Sequence, residues 1–136
     1  MDKQTRIRGW DVKMGLASEN LGKIIEKMNS NKKAQMVFVT DVGGKSVDWE
    51  INFQFNLDNE DPFYVEIKER KIKLAQGTKI DAEIVMSGDN NAIARICEGR
   101  GDFTHAISRE RITVEKGKVM DVIRLTRAIT IVLKIK

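Results

Sequence analysis

The residues from Asp48 to Asp58 alternate between polar and apolar side chains without a break. Successive side chains of a strand point to opposite faces, so this run predicts a strand with one apolar and one polar face. The apolar face carries Trp49, Ile51, Phe53, Phe55 and Leu57. A face with this much aromatic surface must be covered, and the chain's own helices, a partner protein or an oily ligand could each cover it.

The neighbouring segments predict further strands of one antiparallel sheet. The run from Gln35 to Val42 is rich in β-branched residues, and Gly43-Gly44 predicts a hairpin turn that pairs it with the alternating stretch. Alternation continues at 63–68 and at 71–74, with turn residues in between. Two later strands are predicted, one with Ile80, Ala82, Ile84 and Met86 on its apolar face and one with Ile112 and Val114.

Four segments change to an apolar spacing of three or four residues, which predicts helices. The first is 18–28, capped by Ser18. The second is a short helix with Ile93, Ile96 and Cys97 in its apolar stripe, capped by Asp89 or Ser87 and ended by Gly99. The third is 103–108, and the fourth is a tail from Lys118 with Val122, Leu125, Ile129 and Val132 in one stripe. The last eight residues, ITIVLKIK, are β-branched and alternate. This ending predicts that the last turn or two of the tail is extended.

These elements predict an α+β fold with an antiparallel sheet of five or six strands and all helices packed on one face. A chain of 136 residues is the size of one domain, so residues 1–136 are interpreted as a single domain. The helices are the only cover long enough for the aromatic face. Periodicity alone leaves open whether they close a dry core over it or enclose a pocket.

Composition places the protein among ordinary globular chains, with 41% hydrophobic and 32% charged residues. Cys97 is the sole cysteine, so no intramolecular disulfide can form and a reducing compartment is expected. The N-terminal residues 1–13 contain no apolar signal region, and no stretch reaches the length of a membrane span. We therefore expect a soluble, cytoplasmic protein.

The few residue groups that could support catalysis or metal binding lack essential parts. Gly44-Lys45-Ser46 resembles the end of a phosphate-binding loop, but the required earlier glycine is missing and a strand follows, which predicts a hairpin turn. His105 has Asp102 and Ser108 three residues away on either side, but no nucleophile elbow or oxyanion hole is recognisable. One histidine and one cysteine are too few for a zinc site. We expect no enzyme activity, no metal and no cofactor.

Nucleic-acid binding is not expected either. The net charge is +4, but acidic and basic residues are interleaved along the chain, which is typical of a solvated surface. A nucleic-acid site would place aromatic rings among the basic residues. Here Phe53, Phe55 and Phe63 lie on the apolar side of their strands, away from the lysines.

The order of several local signatures resembles the sterol-carrier-protein type-two lipid-transfer family. That family has an aromatic alternating strand, a second strand, an acidic-apolar strand ending in Met-Ser, a helix ending in glycine, and then a Gly-Lys-x-Asp segment, an Ala-Phe pair and a final strand before a glycine. The matching segments are Trp49 to Leu57, Phe63 to Lys68, Asp81 to Ser87, Asp89, Ile93 to Gly99, Gly99-Arg100-Gly101-Asp102, Ala106-Ile107, Arg111 to Val114, and Gly117. Two positions depart from the pattern, since Glu110 stands where glycine is frequent and Ile107 replaces the usual Phe.

The resemblance implies a hydrophobic tunnel between sheet and helices that takes up sterols, fatty acyl chains or phospholipids without chemistry. Carried over residue by residue, the lining consists of Phe53, Phe55, Ile84, Met86, Ile96, Phe103, Ile107, Ile112 and Val114, with Val122, Leu125 and Ile129 as a movable wall. The implied partner is a lipid or another hydrophobic small molecule. Scattered surface lysines would support brief contact with anionic membranes.

Two other functions remain open. The domain could be a protein interaction or dimerisation module with the same fold and a filled core, pairing through a sheet edge or the β-branched tail. A small enzyme that uses His105 is the third possibility.

Overall fold

The protein is described by a computed structural model that covers residues 15–134. Its helices are α1 (Leu16–Asn29), α2 (Lys32–Gln35), α3 (Asn90–Cys97), α4 (Phe103–Ser108) and α5 (Val119–Leu133). Its strands are β1 (Val39–Val42), β2 (Lys45–Asp48), β3 (Ile51–Leu57), β4 (Phe63–Lys68), β5 (Lys71–Gln76), β6 (Ile84–Gly88) and β7 (Ile112–Lys116). None of these helices is long and apolar enough to cross a membrane.

Strands β3 to β7 form one five-stranded sheet in the spatial order β5-β4-β3-β6-β7. The pairs β3–β4, β4–β5 and β6–β7 are antiparallel. Strand β6 lies parallel to β3, with Phe53 beside Ile84 and Phe55 beside Met86. The α+β class is confirmed, but the prediction of a purely antiparallel sheet is wrong because β6 crosses to the far side of β3.

Residues 77–83 make this crossover over the polar face of the sheet. The Gln54 side chain lies beneath them, accepting from the backbone N–H of Lys79 (2.6 Å) and donating to the carbonyl oxygen of Gly77 (3.2 Å). Gln54 is therefore buried on the face that alternation assigns to solvent. Ile80 lies in the crossover and is 93% exposed, so its predicted place on the apolar face of a strand is wrong.

A separate hairpin precedes the sheet. Strand β1 pairs with β2, and Gly43 and Gly44 adopt positive φ angles of 59° and 84° at its turn. The turn prediction is confirmed, but the predicted partner is wrong, since β1 pairs with Lys45–Asp48, which ends where the alternating stretch begins. Residues Met36–Phe38 form a 3₁₀ turn rather than a strand. The Trp49 N–H donates to the Phe38 carbonyl oxygen (2.7 Å), which ties this turn to the start of β3.

Helix α1 begins earlier than its capping signal predicts. Gly15 occupies the N-cap position, while Ser18 is buried inside the first turn. The carboxylate of Glu60, from the β3–β4 turn, accepts from the N–H groups of Ala17 (2.9 Å) and Ser18 (3.2 Å). Unpaired N–H groups at a helix start can be satisfied by any nearby acceptor, and here a residue distant in sequence supplies it.

The predicted helices α3 and α4 are confirmed, as is the predicted cap Asp89 of α3, and the tail differs at its end. Asp89 and Asp102 cap the two helices by accepting from backbone N–H groups. Helix α5 continues to Leu133, so the extended ending is wrong for residues 129–133, while 135–136 lie outside the described residues, as do residues 1–14. Ile129 and Val132 are buried at helical spacing, and this burial outweighs the β-preference of the segment.

Gly88 allows a close approach between β6 and the start of β7. Its φ is +132°, and a Cβ at this position would overlap the carbonyl oxygen of Arg111. That oxygen also accepts from the N–H of Asp89 (2.9 Å), so the approach fixes the junction between β6, α3 and β7. Only glycine satisfies both the angle and the space.

We expect Gly88→Ala to lower the free energy of unfolding more than Gly101→Ala does. Gly101 has φ +148° but no atom within 4 Å of a Cβ, so its substitution costs only backbone strain, about 1–3 kcal/mol. Gly88→Ala adds the overlap with Arg111, which costs about 1–3 kcal/mol more. Urea unfolding followed by circular dichroism measures both variants, and equal losses would contradict this account.

Candidate functional site

The residues predicted to line a tunnel come together between the sheet and the helices. Ten of them are at most 3% exposed: Phe53, Phe55, Ile84, Met86, Ile96, Phe103, Ile112, Val122, Leu125 and Ile129. The other two, Ile107 and Val114, are half-buried and pack against the same apolar cluster. Strands β3, β6 and β7 supply one side of this cluster, and α3, α4 and α5 supply the other.

Stacked aromatic rings form the centre of the cluster. The rings of Phe55 and Phe63 are parallel with centroids 4.8 Å apart, and Trp49 meets Phe53 edge to face at 5.9 Å. Phe38 continues the row, 6.1 Å from Trp49. The predicted lining omits Phe38 and Phe63, although alternation places Phe63 on the apolar face; Phe38 lies in a 3₁₀ turn, where alternation gives no signal.

Within residues 15–134, the predicted lining forms a closed apolar layer and does not show the expected tunnel. Ten of the twelve lining side chains are enclosed by protein atoms, and the aromatic face is covered by helices of the same chain. Clefts on the surface of residues 15–134 include one beside α3 and α4 and one beside the β4–β5 turn, and neither of these is lined by Phe53 or Phe55.

Arg124 ties helix α5 to the segment before the sheet. Its Nε donates to the Val37 carbonyl oxygen (2.7 Å), and its other donors reach the carbonyl oxygen of Val39 (3.2 Å) and the hydroxyl of Thr40 (2.8 Å). The guanidinium lies 4.2 Å from the centre of the Trp49 ring, within the range of a cation–π interaction. Sequence periodicity identifies Arg124 only as a polar position, so this anchor is not predictable from the pattern.

The surroundings of Arg124 lower its pKa. Partial burial is the main cause, the positive charge of Arg127 acts in the same direction, and Asp121 opposes both. An arginine remains charged at physiological pH despite such a shift. Partial burial and the nearby Arg127 disfavour the charge of the guanidinium, while its hydrogen bonds and the Trp49 ring stabilise it. The side chain stays charged while α5 is docked.

His105 does not assemble a catalytic group among the described residues. Its Nδ1 lies 3.2 Å from the Asp102 carboxylate, which also accepts from the His105 backbone N–H (2.8 Å) as the cap of α4. The His105 side chain is 72% exposed, and no hydrogen bond joins it to Ser108 within residues 15–134. Over the same range, no cluster of three or more His, Cys, Asp or Glu side chains is placed to hold a metal ion.

Cys97 is buried at the end of α3, inside the apolar cluster. Burial raises the pKa of its thiol to about 12, and the neighbouring Glu98 carboxylate contributes in the same direction. Since the thiolate is the reactive form, this cysteine is a packing residue rather than a nucleophile.

Solved structures that match the fold of this chain include several sterol carrier protein 2 domains. Sterol carrier protein 2 from Yarrowia lipolytica, in its apo form, superimposes with a TM-score of 0.63 at 16% identity, covering 93% of this chain and 100% of that one. The UbiJ-SCP2 ubiquinone synthesis protein gives 0.62 at 10% identity, covering 86% and 95%. Sterol carrier protein 2 from Aedes aegypti, in complex with the C16 fatty acid palmitate, gives 0.58 at 16% identity, covering 86% and 96%.

These likenesses establish the fold of the chain. No protein-family model and no curated protein matches the sequence. The chain therefore has a sterol carrier protein 2 fold with a sequence far from those of the solved structures, and the resemblance drawn from local signatures is confirmed at the level of the fold.

The Cys97 thiol should be unreactive in the folded protein. At about pH 8 we expect no reaction with a disulfide reagent in buffer and one thiol per chain in concentrated guanidinium chloride. Because the unfolded thiol ionises near its ordinary pKa while the folded thiol stays protonated, its contribution to stability falls as the pH rises above about 8.5. Cys97→Ala should lose that part of the pH dependence. Rapid labelling of the native protein would contradict the burial.

Proposed function

We propose that the protein binds and carries a lipid without chemically changing it. The observation that carries the proposal is the aromatic and aliphatic layer between sheet and helices, in a fold whose Aedes aegypti representative is a complex with palmitate. A single long acyl chain is the ligand we favour, because the layer consists of rings and branched aliphatic side chains.

The proposed contacts are the twelve residues of the predicted lining, together with Phe38 and Phe63. Burying one methylene contributes roughly 0.8 kcal/mol, so a chain of about sixteen carbons gains on the order of 10 kcal/mol before costs. Lost mobility of ligand and side chains removes a large part of this gain. Affinity in the micromolar range with little head-group selectivity is the expected outcome.

The closed core requires a conformational change for uptake, and α5 is the element we propose to move. Its inner face contributes Val122, Leu125 and Ile129, which lie against the lining. The polar ties of Arg124 hold its middle to residues 37–40. If only the open form binds, the apparent affinity is reduced by the fraction of molecules that are open.

A filled-core interaction module is the second candidate, and the closed core favours it. The β-branched ending suggested pairing through the tail, but residues 129–133 are helical and bury Ile129 and Val132. They offer no exposed strand edge to a partner. An interaction surface would therefore lie elsewhere on the molecule.

The delipidated protein should bind a fluorescent fatty acyl probe saturably, at about one probe per chain and with micromolar affinity. Unlabelled palmitate should compete with the probe, and a short-chain acid should not, since the gain scales with buried methylenes. Absence of saturable binding would reject the carrier and favour the interaction module.

Loosening α5 should ease uptake. In Arg124→Met the stem remains while the hydrogen bonds to residues 37–40 are lost, so the open fraction rises and the probe should bind at least about threefold faster. Arg127→Met, one turn's neighbour on the exposed face, is the control. Trp49 fluorescence in a Trp10→Phe background follows the rate, because Trp49 contacts Arg124 directly. An unchanged rate, or the same acceleration in the control, would exclude α5 as the moving wall.

A further inference from the structure

Four arginines converge on one surface cleft of about 350 Å³ beside α3 and α4. They come from three places: Arg95 from α3, Arg100 from the α3–α4 loop, and Arg109 and Arg111 from the segment that joins α4 to β7. His105 lines the same cleft, and Asp102 is its one lining carboxylate. We refer to this site as the arginine cleft.

The same C-terminal capping motif ends α3 and α4 and positions Arg100 and Arg111. Gly99 and Glu110 adopt left-handed φ angles of 82° and 60°. After each, an arginine N–H closes the helix by donating to a carbonyl oxygen five residues earlier: Arg100 to Arg95 (2.8 Å), and Arg111 to Ala106 (2.9 Å). This is the Schellman motif, and it turns the segments that follow α3 and α4 back beside the cleft.

The charges in the arginine cleft are not balanced within the described residues. Arg100 pairs with Glu98 (2.7 Å), and Arg111 lies 3.9 Å from Asp89. Arg95 and Arg109 have no salt-bridge partner in residues 15–134. Two guanidinium groups with several free N–H donors each therefore border the same cleft.

The floor of the arginine cleft is apolar. It is formed by Ala92, Ile96 and Ala106, which are nearly fully buried and belong to the apolar cluster. A volume of about 350 Å³ falls at the small end of ordinary ligand pockets. The cleft thus offers positive walls and a shallow apolar base.

We propose that the arginine cleft is a binding site for a phosphate group, on either a soluble phosphorylated molecule or the head group of an anionic phospholipid. The planar guanidinium fork matches the oxygens of phosphate, and a phosphate group offers more acceptor oxygens and more negative charge to several forks than a carboxylate does. The site goes beyond lipid carriage and does not rest on it, because the four arginines that would hold the phosphate are not among the proposed lipid contacts.

A purely structural role for the arginines makes a different prediction. Arg95 and Arg109 lie at the ends of their helices, where a cation also stabilises the terminal carbonyl groups. That role predicts a loss of stability on substitution and no loss of anion affinity. The experiment therefore measures both quantities on the same variants.

The test uses inorganic pyrophosphate as the probe, with isothermal titration calorimetry for affinity and amide NMR shifts for location. Wild-type protein should bind saturably, with the largest shifts in residues 95–111. The double variant Arg95→Gln/Arg109→Gln should bind at least about tenfold more weakly. The control Arg127→Gln/Lys45→Gln, which removes the same charge from exposed positions elsewhere, should bind like wild type.

Equal weakening in both double variants, an affinity unchanged by the cleft substitutions, or no saturable binding to wild type would overturn the proposal. Should the Gln variant fail to fold, Arg95→Lys/Arg109→Lys takes its place, since it keeps the charge and removes the fork. It should still lose at least about threefold in affinity.

Vesicles distinguish the two sources of phosphate. If the ligand is a lipid head group, vesicles of phosphatidylcholine with phosphatidic acid should bind the wild type, release it with pyrophosphate and fail to bind the Gln variant, while pure phosphatidylcholine vesicles bind neither. If the ligand is soluble, pyrophosphate binding depends on the two arginines and vesicle binding does not. The fluorescent acyl probe is titrated into the same variants, so failure of the lipid-carrier proposal is seen separately.

Discussion

Burial of one aromatic face is the constraint from which the rest of the structure follows. Phe53 and Phe55 lie on the central part of the sheet, between β4 and β6, and side chains of the helices close over them. Removing this much apolar surface from water outweighs the secondary-structure preferences of short segments, as the helical ending of α5 illustrates. The crossover at 77–83 lies over part of the opposite face, where the buried Gln54 side chain bonds the backbone of Gly77 and Lys79.

The same burial governs how the protein could act. A face that must be covered can be covered by the chain itself or by a ligand that replaces part of the cover, and the two states compete for the same side chains. The hydrogen bonds of Arg124 to residues 37–40 would favour the closed state in this equilibrium, since they form only while α5 is docked. Helices α3 and α4 face the apolar cluster on one side and the arginine cleft on the other, so the two proposed sites share their scaffold while differing in chemistry.

Sequence reasoning succeeds for elements that carry their own signals. The alternation in β3 and β4, the cap Asp89 and the helix-ending Gly99 each specify an element locally, and the structure agrees with them. It fails where distant contacts decide. The Glu60 carboxylate replaces Ser18 at the start of α1, and Ile80 leaves the strand pattern because the chain crosses over the sheet there.

The sequence by itself determined the α+β class, most of the strands and helices, and the apolar face of the sheet, because period and caps act over a few residues. Only the tertiary structure decided that β6 runs parallel to β3, that the aromatic layer is closed, and that Arg124 docks on Trp49. The convergence of four arginines at one cleft was also a tertiary outcome. These features depend on which distant segments contact each other. Local hydrophobic periodicity identifies helices and strands but does not specify those contacts.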